Sequence, residues 1–279
     1  MIKIHKAKLE VLGLDFAESE IKQYKLGQNM YIKRETESGL FSHSVHFNSE
    51  ASSYNDHKER IFNLALALRI WFSPNLGFGC LFIGTKPVQT ALLDGFRLPN
   101  QGYKNKKITD SDRKYFTPIY DNITACLNEH RAKKTFSRLG RALGLFNYSY
   151  YQYSHEIKFL NIVMALESLF TTAAQEVTYR LKINLSNFLG ENSAERMRIY
   201  DTVEKILNVR GPIAHGGKPE KDKIKGYFEK NPSNFENLIG EAEELLINAF
   251  RKILWNSDTL KLFSGKDLGK YFIKKAINA

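Results

Sequence analysis

Apolar residues recur at alternate positions near the start of the chain and at three- and four-residue intervals almost everywhere beyond Thr109. A period of two lines one face of a strand, and a period of 3.6 lines one face of a helix. A chain whose period changes in this way folds as a sheet-bearing part followed by a helical part: an α+β N-terminal domain and then an all-α helical bundle.

Within the first 50 residues, Ile2 and Ile4, Leu9 and Val11, and Phe41, Val45 and Phe47 predict two or three short strands. Ser52 and Ser53 precede a predicted helix from Tyr54 to Phe72, where Ile61, Leu64, Ala65 and Leu68 share a face and Pro74 stops the run. Gly77 to Ile83 reads as a further strand, and Thr85 to Lys107 reads as a loop with a Lys104, Lys106, Lys107 cluster. Beyond Thr109 a helix runs to about Glu129, kinked or divided at Pro118. Further helices are predicted over roughly Lys133 to Phe146, Ser154 to Thr172, Val177 to Leu189, Ala194 to Val209 and Phe235 to Trp255. In the second of these, Ile157, Leu160, Val163, Met164, Leu166 and Phe170 cover most of the circumference, which marks a central helix packed on several sides. The simplest division is a domain over 1–130 and a helical domain over 131–279 that ends in a basic tail carrying Lys266, Lys270, Lys274 and Lys275, in which Leu268, Tyr271, Phe272 and Ile273 suggest docking.

Composition narrows the function. At 279 residues, 43% apolar and 13% aromatic, the chain can bury a core, which excludes disordered and collagen-like classes. A net charge of +11 favours a polyanionic partner. Cys80 and Cys126 have neither paired spacing nor a histidine cluster beside them, so no disulfide framework, zinc site or other metal site is expected, and a reducing cytoplasm is the expected location. Lys3, His5, Lys6 and Lys8 interrupt the opening residues before a signal peptide's apolar run can form, and Leu76 to Ile83 is too short to cross a bilayer.

The segment that can carry chemistry is Arg210-Gly-Pro-Ile-Ala-His215. Metal-free RNA cleavage needs a histidine to take the 2′-hydroxyl proton or give one to the departing 5′-oxygen, and a cation to hold the phosphate while charge builds. In a chain of this composition an Arg-to-His spacing of this kind arises by chance about once, so its surroundings carry the argument. Gly211 and Pro212 predict that the helix ends near Val209 and that the chain turns there, letting both side chains face one cleft; in an unbroken helix they would stand about 140° apart. The competing reading is a histidine that caps a helix beside a glycine turn.

Those surroundings resemble the Apea-like branch of the HEPN superfamily over about 133–255. The resemblance rests on Phe159-Leu-Asn-Ile-Val-Met-Ala-Leu-Glu-Ser-Leu-Phe170, on Glu176-Val-Thr-Tyr-Arg-Leu181 and on Ile206-Leu-Asn-Val-Arg-Gly-Pro-Ile-Ala-His-Gly-Gly217, in that order. It implies a HEPN-like helical bundle that forms a homodimer and cleaves RNA as a metal-independent endoribonuclease without a cofactor, in a toxin-like or antiviral defence setting. An antitoxin or regulatory protein is the further partner it implies. By position Arg210 and His215 are then catalytic, and Glu167 and Arg180 support them by orienting the pair or closing an ion pair between helices. Gly211 stands where relatives commonly carry a polar residue, and this favours the alternative of a non-catalytic module that binds RNA or protein. Lys133, Lys134, Arg138 and Arg141 form the basic stretch assigned to RNA phosphates. The rings of Phe146 to Tyr153 read as packing, with stacking on bases as the lesser reading.

Overall fold

The computed structural model describes residues 3–12, 15–16, 23–27, 30–34, 43–51, 54–72, 76–83, 86–88, 107–109, 111–133, 137–172, 175–216 and 233–277. The chain divides into two compact units, Met1–Ala125 and Cys126–Ala279.

The first unit is α+β. Its sheet contains β1 (Lys3–Leu12), β3 (Gln23–Gly27), β4 (Met30–Arg34), β5 (His43–Ala51), β6 (Gly77–Ile83) and β7 (Lys86–Val88), in the order β3-β4-β5-β1-β6-β7 with antiparallel neighbours. Register explains the burial: Leu9 faces Val45, Val45 faces Ile32 and Ile32 faces Tyr24, so one row of buried side chains crosses four strands. Helix α1 (Tyr54–Trp71) packs on β5 and is buried almost all round from Ile61 to Ile70. Short strands β2 (Asp15–Phe16) and β8 (Lys107–Ile108) pair in parallel.

Sequence reading placed α1 and β6 correctly but undercounted the strands of the first 50 residues, because the β3–β4 hairpin carries lysines on its outer face and only Tyr24, Leu26 and Ile32 on its buried one. The loop expected from Thr85 to Lys107 contains β7 and the start of β8, and most of it lies outside the described residues. Helix α2 (Asp112–Lys133) runs through Pro118 undivided. Its start is fixed by Asp112, whose buried carboxylate accepts from Trp71 Nε1 (2.8 Å), Thr109 N (2.6 Å) and Thr109 Oγ1 (3.0 Å).

The second unit is helical: α3 (Arg138–Ser149), α4 (His155–Phe170), α5 (Val177–Leu189), α6 (Ser193–Ala214), α7 (Ser233–Trp255), α8 (Ser257–Ser264) and α9 (Leu268–Ile277). The helix expected over 133–146 is corrected: Lys133 closes α2, and α3 begins after Ser137, whose Oγ accepts from Gly140 N at 3.1 Å. Ser154 caps α4 and Asn192 caps α6 in the same manner. Helix α4 packs against α3, α5, α6 and α7, and Phe159, Ile162, Val163, Leu166, Leu169 and Phe170 are buried completely. It is central but not enclosed: Ile157 and Met164 remain 49% and 44% exposed, so the expectation of burial round its circumference fails on that face.

The basic tail is docked. Leu268 and Phe272 of α9 are buried, and the Phe272 ring meets Phe170 (5.9 Å between centroids) and Phe263 (6.2 Å). Among the described residues no helix is long and apolar enough to cross a membrane.

Candidate functional site

Helix α6 carries the Arg210–His215 segment, and its course decides the geometry. The helix does not end near Val209; it continues through Gly211 and Pro212 to Ala214. Pro212 brings no N–H, so one helical hydrogen bond is missing, yet the helix continues past it. The stop comes later: His215 is the C-cap, its N–H donates to Gly211 O (3.2 Å), and Gly216 follows at φ +64°, a left-handed conformation that glycine adopts at little cost.

On an unbroken helix five residues separate the two side chains by about 140° around the axis and about 7.5 Å along it. The chain turn that was expected to aim both into one cleft is absent. Within one copy the structure therefore does not bring Arg210 and His215 together, and His215 occupies the capping position of the competing reading. Its side chain is exposed and forms no hydrogen bond or ion pair among the described residues.

Arg210 has a partner. Its Nη2 donates to Glu167 Oε2 on α4 at 3.3 Å, with the arginine side chain 32% and the glutamate 15% exposed. Burial pushes the Glu167 carboxyl above the usual carboxylate range, and Arg210 opposes that shift through charge and hydrogen bonding. Arg210 Nε is buried without an acceptor, so the guanidinium is only partly satisfied by its carboxylate.

The remaining predicted residues fall elsewhere. Arg180 does not join this pair: its Nε donates to Gln175 O (3.2 Å) and its Nη2 to Glu176 Oε2 (3.3 Å). There it clasps the first turn of α5, where Glu176 holds the left-handed conformation at φ +57°. Arg138 is half-buried and its Nη1 donates to Ser168 O (3.1 Å) and Thr171 O (2.6 Å), closing the C-terminal end of α4. That use ties the guanidinium to α4 through Nη1. Arg141 is exposed, while the side chain of Lys133 and all of Lys134 lie outside the described residues. Of the tyrosine run, Tyr150 is buried, whereas Tyr148 and Tyr153 are 64% and 94% exposed.

Sequence reasoning missed a buried ion pair between Lys158 of α4 and Glu243 of α7. The lysine Nζ donates to Glu243 Oε2 at 3.3 Å, with the side chains 5% and 3% exposed, and it also stands 5.3 Å from the Tyr150 ring centroid. The available signal was a lysine between Ile157 and Phe159 in the most apolar of the described helices. Among the described residues no group of three or more His, Cys, Asp or Glu side chains is assembled for a metal ion.

No family model, curated protein or solved structure matches this chain.

Proposed function

We propose that the chain is a metal-independent endoribonuclease of the HEPN type, in which His215 moves the proton and Arg210 holds the phosphate of RNA. The observation that carries this reading is the placing of both residues at one end of α6, with the histidine in solvent and the arginine, five residues earlier, partly open. The order of the three segments that resemble the family supports it, as does the chain's positive charge. Because the two side chains diverge by about 140° in one copy, the reading requires a homodimer in which Arg210 of one copy works with His215 of the other. Glu167 then acts as a positioning residue that fixes the guanidinium.

In EDTA the parent is expected to cut a labelled structured RNA and leave 2′,3′-cyclic phosphate ends. Arg210→Ala and His215→Ala are each expected to lose about 100-fold or more. Mixed dimers of the two variants restore one complete site and part of the rate. Cleavage by either single variant at the parent's rate overturns the assignment.

A second reading is favoured by the same unbroken helix: a non-catalytic HEPN-like module that binds RNA or a protein, in which Arg210 and Glu167 only tie α6 to α4. It predicts that the parent never cleaves and that RNA binding survives loss of both side chains.

A further inference from the structure

The C-terminal helices carry a concentration of positive charge on a firm support. Between Asn256 and Ile277 stand Lys261, Lys266, Lys270, Lys274 and Lys275, against only Asp258 and Asp267. All five lysines are exposed. Lys270 pairs with Asp267 at 3.3 Å, but both side chains lie in solvent (81% and 76% exposed), where such a pair holds little. The other four form no ion pair among the described residues. Lys270 and Lys274 are one turn apart on α9 and share a face, about 6 Å apart along the axis.

The charge continues onto the neighbouring helix. Lys252 of α7 donates its Nζ to Phe188 O at 2.6 Å, and its ammonium is held below the usual lysine range, first by burial and next by the charge of Lys275. Glu191 opposes that shift. The ordinary preference for basic residues in a helix's last turn accounts for Lys261, Lys274 and Lys275 but not for Lys266 or Lys270. Nor is this a loose tail, because Leu268 and Phe272 lock α9 onto the aromatic cluster of Phe170, Phe188 and Phe263.

From this arrangement we infer that the exposed basic surface of α8 and α9 binds the phosphate backbone of RNA, with Lys270 and Lys274 as its centre and Lys275 at its edge toward Lys252. Charge complementarity selects a polyanion. A lipid surface fits less well: α9 turns Leu268 and Phe272 into the core and leaves Ile273, Ala276 and Ile277 outward among its lysines, whereas an interfacial helix immerses a broad apolar face. The face holds backbone phosphates away from the one assigned to Arg210. The choice of RNA as the polyanion rests on the function proposed above, but the contact does not depend on cleavage.

The test uses the full chain carrying His215→Ala, so that RNA stays whole, and measures anisotropy of a labelled oligouridine in EDTA from about 50 to 200 mM salt. Adding Lys270→Gln, Lys274→Gln and Lys275→Gln should weaken binding about 10-fold or more at low salt and flatten the slope of log K against log salt by about 2. Unchanged circular dichroism shows that α9 is still folded. Binding and slope equal to those of the His215→Ala protein overturn the proposal, and so does a protein that shows no salt-dependent RNA binding at all. Loss of binding to phosphatidylserine vesicles with RNA binding intact overturns it in favour of lipid. Absence of cleavage by the parent, by contrast, counts against the nuclease reading and leaves this face untouched.

Discussion

Replacing Lys158 by methionine is expected to destabilise the helical unit by about 3–5 kcal/mol, and adding Glu243→Leu is expected to return most of that loss. At the observed 3.3 Å, two unit charges attract by about 5 kcal/mol at an effective dielectric of about 20. Desolvation of both ions offsets that attraction, which is why the pair adds little net stability over a well-packed apolar pair. Removing the lysine alone is different. It deletes the attraction and the contact with Tyr150, and it leaves a carboxylate that is 3% exposed with neither oxygen supplied by a donor, since Glu243 Oε1 already lacks one. For a unit of this size each kcal/mol moves the midpoint by about 2–4 °C, so the single variant should melt about 6–20 °C lower and the double variant within about 3 °C of the parent. Thermal melting followed by far-ultraviolet circular dichroism reads the shift, and amide exchange in α4 and α7 assigns it to the helical unit. If the single and double variants fall by the same amount, the loss is one of packing and the charge argument is wrong.

Two glycines should respond in opposite senses. A Cβ at Gly190 would lie 2.7 Å from Arg196 Cγ and 2.8 Å from Arg196 N, so Gly190→Ala should cost about 1–3 kcal/mol in urea unfolding, whereas Gly211 has nothing within 4 Å and Gly211→Ala should gain about 0.5–1 kcal/mol. Burial pushes the Cys126 thiol up to about 11, so in a Cys80→Ser background iodoacetamide labelling at about pH 8 should be about 200-fold slower than for an exposed thiol; labelling at the exposed rate would contradict that burial. The folded state holds the Glu167 proton more tightly than the unfolded chain does, so the parent's stability relative to Glu167→Gln should fall as pH rises from below about 4.3 through the raised value. A difference that grows with pH would mean that Arg210 outweighs burial.

The helical half was the more legible because its signals are local and agree with one another. Ser154 before the apolar run of α4, Gly190 after α5 and Gly216 after α6 stand where the helices start or stop. The errors arose where local propensity met tertiary contacts. Pro118 and Pro212 read as breaks, yet both sit inside helices that continue past them. The β3–β4 hairpin was hidden because its strands are short and one face is polar, so only pairing with β5 reveals it. For the candidate site, Glu167 and Arg210 were legible as possible partners, but the sequence held no sign that Arg138 would serve the end of α4 or that Arg180 would turn back on Glu176.

The continuity of α6 separates two ways in which an arginine and a histidine on one helix can meet at one phosphate. Either the last turn unwinds so that His215 swings toward Arg210, or the histidine is supplied by a second copy while each helix stays intact. Pro212 is the position that tells them apart, because its missing N–H leaves Asn208 O without its helical donor and weakens the helix just ahead of the turn that would have to open. Pro212→Ala restores that hydrogen bond and stiffens the turn without touching either functional side chain. If unwinding were required, cleavage would drop with the added helix stability; with the histidine supplied across a dimer, the rate should stay within about twofold of the parent. A helix that continues through Gly211 and Pro212 to Ala214, with His215 as its cap and Gly216 in the left-handed conformation behind it, favours the second outcome.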